Sequence, residues 1–211
     1  LQILNELMAA VNGVEQARVT GVPIKWLLSR GQGIKTFSNI LRYKNDWEVV
    51  PSRSPKMNNV FTAGGYVRDP IAGYYKTPIA TLDFSSLYPS IMQAFNICYS
   101  TVENLKWAQE NMNPNDYSVP PVPGCDFCFV KPHIRKGVLP DLLDTLLGQR
   151  RYVKGLMKKV DAAVEALRHA VLNGRQLALK VVCNSVYGFL KAFILIDPRL
   201  MSAVTGWGQE M

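Results

Sequence analysis

Two long stretches in the second half of the chain carry apolar positions at a helical period. In the first, Pro140 and Asp141 make a helix opening, since proline needs no N–H partner in a first turn and an acid suits the positive end of the helix dipole. Leu142, Leu143, Leu146 and Leu147 then recur at the spacing of one buried face. In the second, Leu177, Lys180, Asn184 and Tyr187 step by 3, 4 and 3 and so share a face. Asn173-Gly174 reads as the loop before that helix and Gly188 as its stop. The pattern predicts a pair of long helices joined by a loop, over residues 139 to about 189.

The rest of the chain is less regular. Residues 1–30 carry two helical stretches broken at Gly21-Val22-Pro23, and residues 30–59, with Pro51, Pro55 and several Asn and Ser, read as partly loop. Residues 61–75 are rich in Gly and Tyr with strand character. Residues 77–82 (TPIATL) are short, apolar and partly β-branched, which predicts a buried strand. A helix over 89–96 follows. Residues 111–124, with Pro114, Pro120, Pro121 and Pro123, predict a surface loop. The fold class expected is mixed α+β, and there is no internal repeat. An apolar share of 48% over 211 residues is enough for a core of one to two ordinary domains. No run of 18 apolar residues and no signal-peptide pattern occurs, so neither a membrane span nor secretion is expected. The chain opens at Leu1 and reaches Met211 inside a helical pattern, as a piece of something longer would.

Chemistry concentrates in two strings, DFSSLYPSI at 83–91 and KVVCNSVYG at 180–188, whose first residues lie 97 apart (180 − 83). Asp83, at the end of an apolar run, offers a carboxylate to a hard cation such as magnesium, which takes oxygen ligands and is usually held by one or two carboxylates plus substrate phosphates. Ser85, Ser86 and Leu87 form a turn at a helix start, where unpaired N–H groups suit phosphate. Tyr88 precedes Pro89, which disfavours the α region for it. Lys180 and Asn184 place an ammonium and a carboxamide one turn apart. Taken alone, Asp83 would cap a helix and the Lys–Asn pair would be a solvated face. Together they describe a site for a metal-bound triphosphate.

Charge supports that reading. The net charge is +8 and the pI about 9.4, which favour an anionic partner without singling out nucleic acid. From 150 to 180 there are eight Lys or Arg (Arg150, Arg151, Lys154, Lys158, Lys159, Arg168, Arg175, Lys180) against Asp161 and Glu165, a net +6. Two helices facing such cations inward would clamp a polyphosphate. The four cysteines, at 98, 125, 128 and 183, lie on separate elements except for Cys125 and Cys128. They read as incidental reduced thiols, because structural zinc needs four ligands.

In order and spacing the two strings closely resemble the A and B motifs of family B DNA polymerases. ARVTGVPIKWLLSRGQ (17–32), RKGVLPDLL (135–143) and NGRQLALKV (173–181) extend the resemblance over nearly the whole chain, toward the eukaryotic delta branch of that family. The resemblance implies a right-hand fold. Residues 1–76 would lead into the palm, 77–137 would be palm with the first metal aspartate, 138–189 a two-helix antiparallel fingers subdomain, and 190–211 the start of the return to the palm. It implies a DNA-directed DNA polymerase of nuclear replication, working with two Mg2+ ions on primer–template DNA and dNTPs. Accessory subunits and a sliding clamp would be engaged through other regions. Carried over by position, Asp83 is catalytic and a metal ligand, with the Phe84 carbonyl beside it. Ser86 and Leu87 offer N–H groups to the triphosphate, and Tyr88 gates the sugar. Arg150, Lys154, Lys180 and Asn184 hold the triphosphate, Tyr187 and Gly188 border the nascent base pair, and Gly64 and Gly65 contact DNA. Thr62 stands where that last element has a tyrosine. The second set of metal carboxylates lies in a YGDTDS hairpin that this sequence does not contain, so the chain by itself is expected to be inactive. A catalytically inactive nucleic-acid-binding homologue, or a viral, alpha-type or zeta-type relative, are the alternative readings.

Overall fold

The computed structural model describes residues 2–43, 68–190 and 197–211. Among them, eight helices surround one small sheet. The helices α1 (Gln2–Thr20), α2 (Ile24–Ser29) and α3 (Gly33–Tyr43) come first, and α4 (Leu87–Ala94) follows the Asp83 string. Next are β1 (Val102–Asn104), α5 (Leu105–Asn111), β2 (Tyr117–Ser118) and β3 (Phe127–Val130). The chain continues through α6 (Val138–Met157), α7 (Ala166–Phe189) and α8 (Pro198–Glu210).

The expected helix pair is present as α6 and α7, packed on each other along their length. Leu142, Leu143 and Leu146 are buried and Leu147 is half-buried, as their spacing requires. On α7 the inward face is Ala178, Leu179, Val182, Cys183 and Val186. The other long contact of α7 is with α1, and the break between α1 and α2 falls at Gly21, whose φ of 67° ends α1. Met92 and Ile91 on α4, Phe129 on β3 and Leu200 on α8 complete the core, with Trp207 of α8 stacked on Phe95 at 3.9 Å and 4°.

Six expectations change. Residues 77–82 form no strand: they are irregular and exposed, Leu82 at 95%, so their apolar composition is not matched by burial. The described part of 61–75, residues 68–75, is likewise without strand pairing. The sheet is built further on, antiparallel in the order β1-β3-β2, with Val102 opposite Phe129 and Tyr117 opposite Val130. Part of it, β2, sits inside the proline-rich stretch read as surface loop, where Pro120 is also buried. Within 30–59, α3 is a regular helix. Asn173-Gly174 is not a loop but lies two turns inside α7. Gly174 is buried where α1 comes close, and a Cβ there would stand 2.8 Å from Asn12 Oδ1. Gly188 lies in the last turn of α7 rather than after it.

Leu143 is fully buried in this core. Leu143→Ala is expected to cost about 2–5 kcal/mol of stability, whereas Leu167→Ala, at a side chain that is 72% exposed, should change it by less than about 0.5 kcal/mol. Denaturant midpoints of the two variants against the unmodified protein check this, and equal shifts would contradict the assigned core.

Candidate functional site

Asp83 lies at the end of the exposed irregular segment, one residue before the exposed Phe84. Ser85 and Ser86 then turn the chain into α4. Ser86 is its N-cap with φ 55° and ψ 52°, a left-handed conformation uncommon for a residue with a Cβ. Its side chain makes no capping bond, while its carbonyl accepts from Ser90 N–H at 3.0 Å and Ser90 Oγ donates to Ser85 O at 3.1 Å. The first-turn N–H groups of Leu87 and Tyr88 therefore have no acceptor within the helix, and Pro89 has no N–H. The turn at a helix start is as expected, but Tyr88 is not pushed out of the α region. Pro89 occupies the first turn, where the helix tolerates it, and α4 begins before it at Leu87. What holds the Tyr88 ring is a neighbour from the other string. It stacks on Tyr187 of α7 with centroids 4.3 Å apart at 30°. Burial, then the nearby Tyr88, raises the Tyr187 phenol above its ordinary range.

That stack brings the two sequence strings together. Asn184 lies three residues, about one turn, before Tyr187, and Lys180 a further turn back; both are exposed, as is Gly188. Arg150 of α6 is half-buried against α7, its Nε donating to Gln176 Oε1 in a long bond of 3.4 Å, one turn before Lys180. Lys154 is exposed one turn further along α6. The side chains of Lys154, Lys180 and Asn184 make no hydrogen bond or ion pair among the described residues, which leaves their charge and donors for an anion. The basic face is thus assembled from both helices. Gly64 and Gly65 lie outside the described residues.

The buried Cys183 thiol, one residue before Asn184, is pushed up to about 11 by burial, with Arg150 pulling the other way. At neutral pH it is a packed thiol rather than a nucleophile. Cys125 and Cys128 are free and both raised by burial, Cys128 to about 11.

Asp83 is an exposed acid of the irregular segment before α4, as is Asp69. Among the described residues no three His, Cys, Asp or Glu side chains come together as a metal-binding group. Asp197, the first acid after the second string, is engaged elsewhere. It caps α8, accepting from Arg199 N–H at 3.0 Å, and both its oxygens also accept from the Arg199 guanidinium, at 3.0 and 2.7 Å.

Sequence reasoning passed over a polar network at the start of α6. Lys136 Nζ bridges Asp141 at 2.7 Å and Asp144 at 2.8 Å, and these contacts raise its pKa. Asp141 also accepts from Tyr43 OH of α3, and Asp144 from Gln93 Nε2 of α4 at 2.6 Å. Three helices are joined there. The signal available was the charge alternation of Lys136, Asp141 and Asp144 around a proline start.

A family model, DNA polymerase family B, matches residues 22–211. The chain is similar to the DNA polymerase delta catalytic subunits of Schizosaccharomyces pombe (48% identical), Candida albicans (46%) and Bos taurus (44%), in each case over 100% of this chain but 19%, 20% and 19% of the relative. It thus spans about a fifth of the length of these relatives. Among solved structures, the family B DNA polymerase of the hyperthermophilic archaeon Pyrobaculum calidifontis is similar, with a TM-score of 0.73 and 26% identity over 95% of this chain and 25% of that one. By family match, identity and fold together, the chain belongs to DNA polymerase family B.

Proposed function

We propose that the chain is the nucleotide-binding part of a replicative, delta-type DNA-directed DNA polymerase acting in the nucleus. In this reading α6 and α7 are the fingers, and the Asp83 loop with α4 and the small sheet belongs to the palm. The observation that carries it is the Tyr88–Tyr187 stack, which joins the two strings of an A and a B motif at one place. The delta-type assignment, and with it nuclear replication, a sliding clamp and accessory subunits, rests on the 44–48% identity to delta catalytic subunits.

The reaction is transfer of a deoxynucleoside monophosphate to a primer. A bond forms between the primer 3′-oxygen and the α-phosphorus of the dNTP, the bond from that phosphorus to the β-bridging oxygen breaks, pyrophosphate leaves, and the hydroxyl proton passes to solvent. Asp83 and the Phe84 carbonyl are hard oxygen donors suited to magnesium, and they supply one side of a two-ion site. Such ions, when bound, stabilise the attacking and leaving oxygens. The N–H groups of Leu87 and Tyr88 face the polyphosphate at the start of α4, with the Ser86 N–H in the turn before them. Arg150, Lys154, Lys180 and Asn184 receive the triphosphate from the helix pair and offset its charge. Tyr88 packs against the sugar, Tyr187 and Gly188 lie along the base pair, and Gly64 and Gly65 meet the template side.

Primer extension tests this reading. The full-length polymerase carrying this segment should extend a primer with dNTPs and Mg2+, whereas the purified 211-residue chain should not, because it has only one side of the metal site. Extension by the chain alone would remove the assignment of metal carboxylates. A full-length protein that binds primer–template DNA yet never extends it would favour the inactive homologue.

A further inference from the structure

We propose that Asn96 is a positioning residue that sets the Asp83–Tyr88 loop against the basic face of α6; this rests on the polymerase reading above. Asn96 stands just past the end of α4. It is fully buried and holds a left-handed backbone conformation, φ 54°, which asparagine tolerates better than other side-chain-bearing residues. Its amide is used from both ends. Nδ2 donates to Val130 O at 2.6 Å, at the end of β3, and to Arg135 O at 2.8 Å, in the segment leading to α6. Its Oδ1 accepts from the N–H of Gly137, the N-cap of α6, at 2.9 Å. The Asn96 carbonyl in turn accepts from Thr101 Oγ1 at 2.6 Å.

One side chain therefore fastens the exit of α4 to the entrance of α6. The fit is close: a Cβ on Gly137 would meet Cys98 Cβ at 2.7 Å and Asn96 Oδ1 at 3.1 Å. Leu139 N–H also reaches Cys98 Sγ, at 3.4 Å. The other end of α4 carries Ser86, Leu87 and Tyr88, and α6 carries Arg150 and Lys154 roughly four and five turns beyond Gly137. A triphosphate spanning the two depends on the distance and angle between the helices. A small change at their common hinge point is magnified along α6. Asn96 is too deeply buried to touch substrate, so its influence passes through this geometry alone.

The test uses the full-length polymerase. Asn96→Gly keeps a residue that accepts positive φ while deleting the amide. Thr101→Val loosens the same turn without touching α6, since among the described residues its hydroxyl bonds only the Asn96 and Cys98 carbonyls. Single-turnover incorporation gives the dNTP concentration for half-maximal rate, and a binding assay gives primer–template affinity. Asn96→Gly is expected to raise the dNTP requirement about 10- to 100-fold with DNA affinity unchanged, the scale of a displacement near 1 Å between reacting parts. Thr101→Val should lower the melting temperature but leave the dNTP requirement where it was. An unchanged dNTP requirement in Asn96→Gly, or an equal rise in Thr101→Val, overturns the proposal. Should Asn96→Gly not fold, Gly137→Ala presses on the same joint from the α6 side, and a normal dNTP requirement there overturns it equally. A wild-type enzyme without incorporation would instead remove the polymerase reading itself.

Discussion

Replacing Asp83 with Ala in the full-length polymerase should lower its turnover by about 10³-fold or more. A metal ligand contributes several kcal/mol to stabilising charge in a phosphoryl-transfer transition state, and each factor of ten corresponds to about 1.36 kcal/mol. Asp83 is exposed on its loop and buries no packing surface, so the loss is expected without a matching loss of stability. Asp197 provides the contrast. Its two oxygens are taken up by Arg199 and the start of α8, so Asp197→Ala should cost about 0.5–2 kcal/mol of stability, the range for a lost helix cap, and leave the chemical step largely intact. Single-turnover rates with Mg2+ and melting curves for both variants separate the two effects. Near-normal turnover in Asp83→Ala would mean that the wrong carboxylate has been assigned.

Lys180 and Tyr88 should divide substrate recognition between them. On the proposed reading the Lys180 ammonium, without a partner among the described residues, makes a charge-assisted contact with phosphate oxygens, worth roughly 1.5–3 kcal/mol, so Lys180→Ala should lower kcat/KM by roughly 10- to 150-fold. Ribo- and deoxynucleotides carry the same triphosphate, and their ratio should not move. On the same reading Tyr88 acts by bulk, its ring stacked on Tyr187 at 4.3 Å. Tyr88→Ala should therefore raise ribonucleotide incorporation with a smaller loss of overall affinity, and Tyr187→Ala should share part of that effect by freeing the ring. Matched single-nucleotide incorporation with both sugars reads this directly. A sugar ratio that shifted in Lys180→Ala and stayed fixed in Tyr88→Ala would reverse the two assignments.

The helix pair was legible because its leucines and its Lys–Asn–Tyr face recur at the helical period over many turns. The break at Gly21 was legible because the glycine has the backbone angle its position demands. By contrast, α3 escaped because three of its four buried positions, Lys35, Thr36 and Asn39, are polar where an apolar stripe would be sought, with Ile40 the fourth. Lys35 Nζ donates to Gln16 Oε1 and Asn39 Nδ2 to Lys35 O, each at 2.9 Å. The strands escaped through brevity, since runs of two to four residues hold too few alternations to register. Residues 77–82 had strand composition but no partner, and composition alone does not supply hydrogen bonds. Within the site, the residue types and their order could be read from the strings. Which rings touch could not, because Tyr88 and Tyr187 are 99 positions apart (187 − 88) and only packing joins them.

The exposed segment before Asp83 bears on how this chain would behave in a tube. Ile71, Tyr74, Ile79 and Leu82 all project from it into water. Its backbone lacks a ladder partner among the described residues. Exposed apolar side chains clustered in this way favour self-association. Aggregation of the isolated chain is therefore expected to rise with its concentration, and charge added along this segment should oppose it.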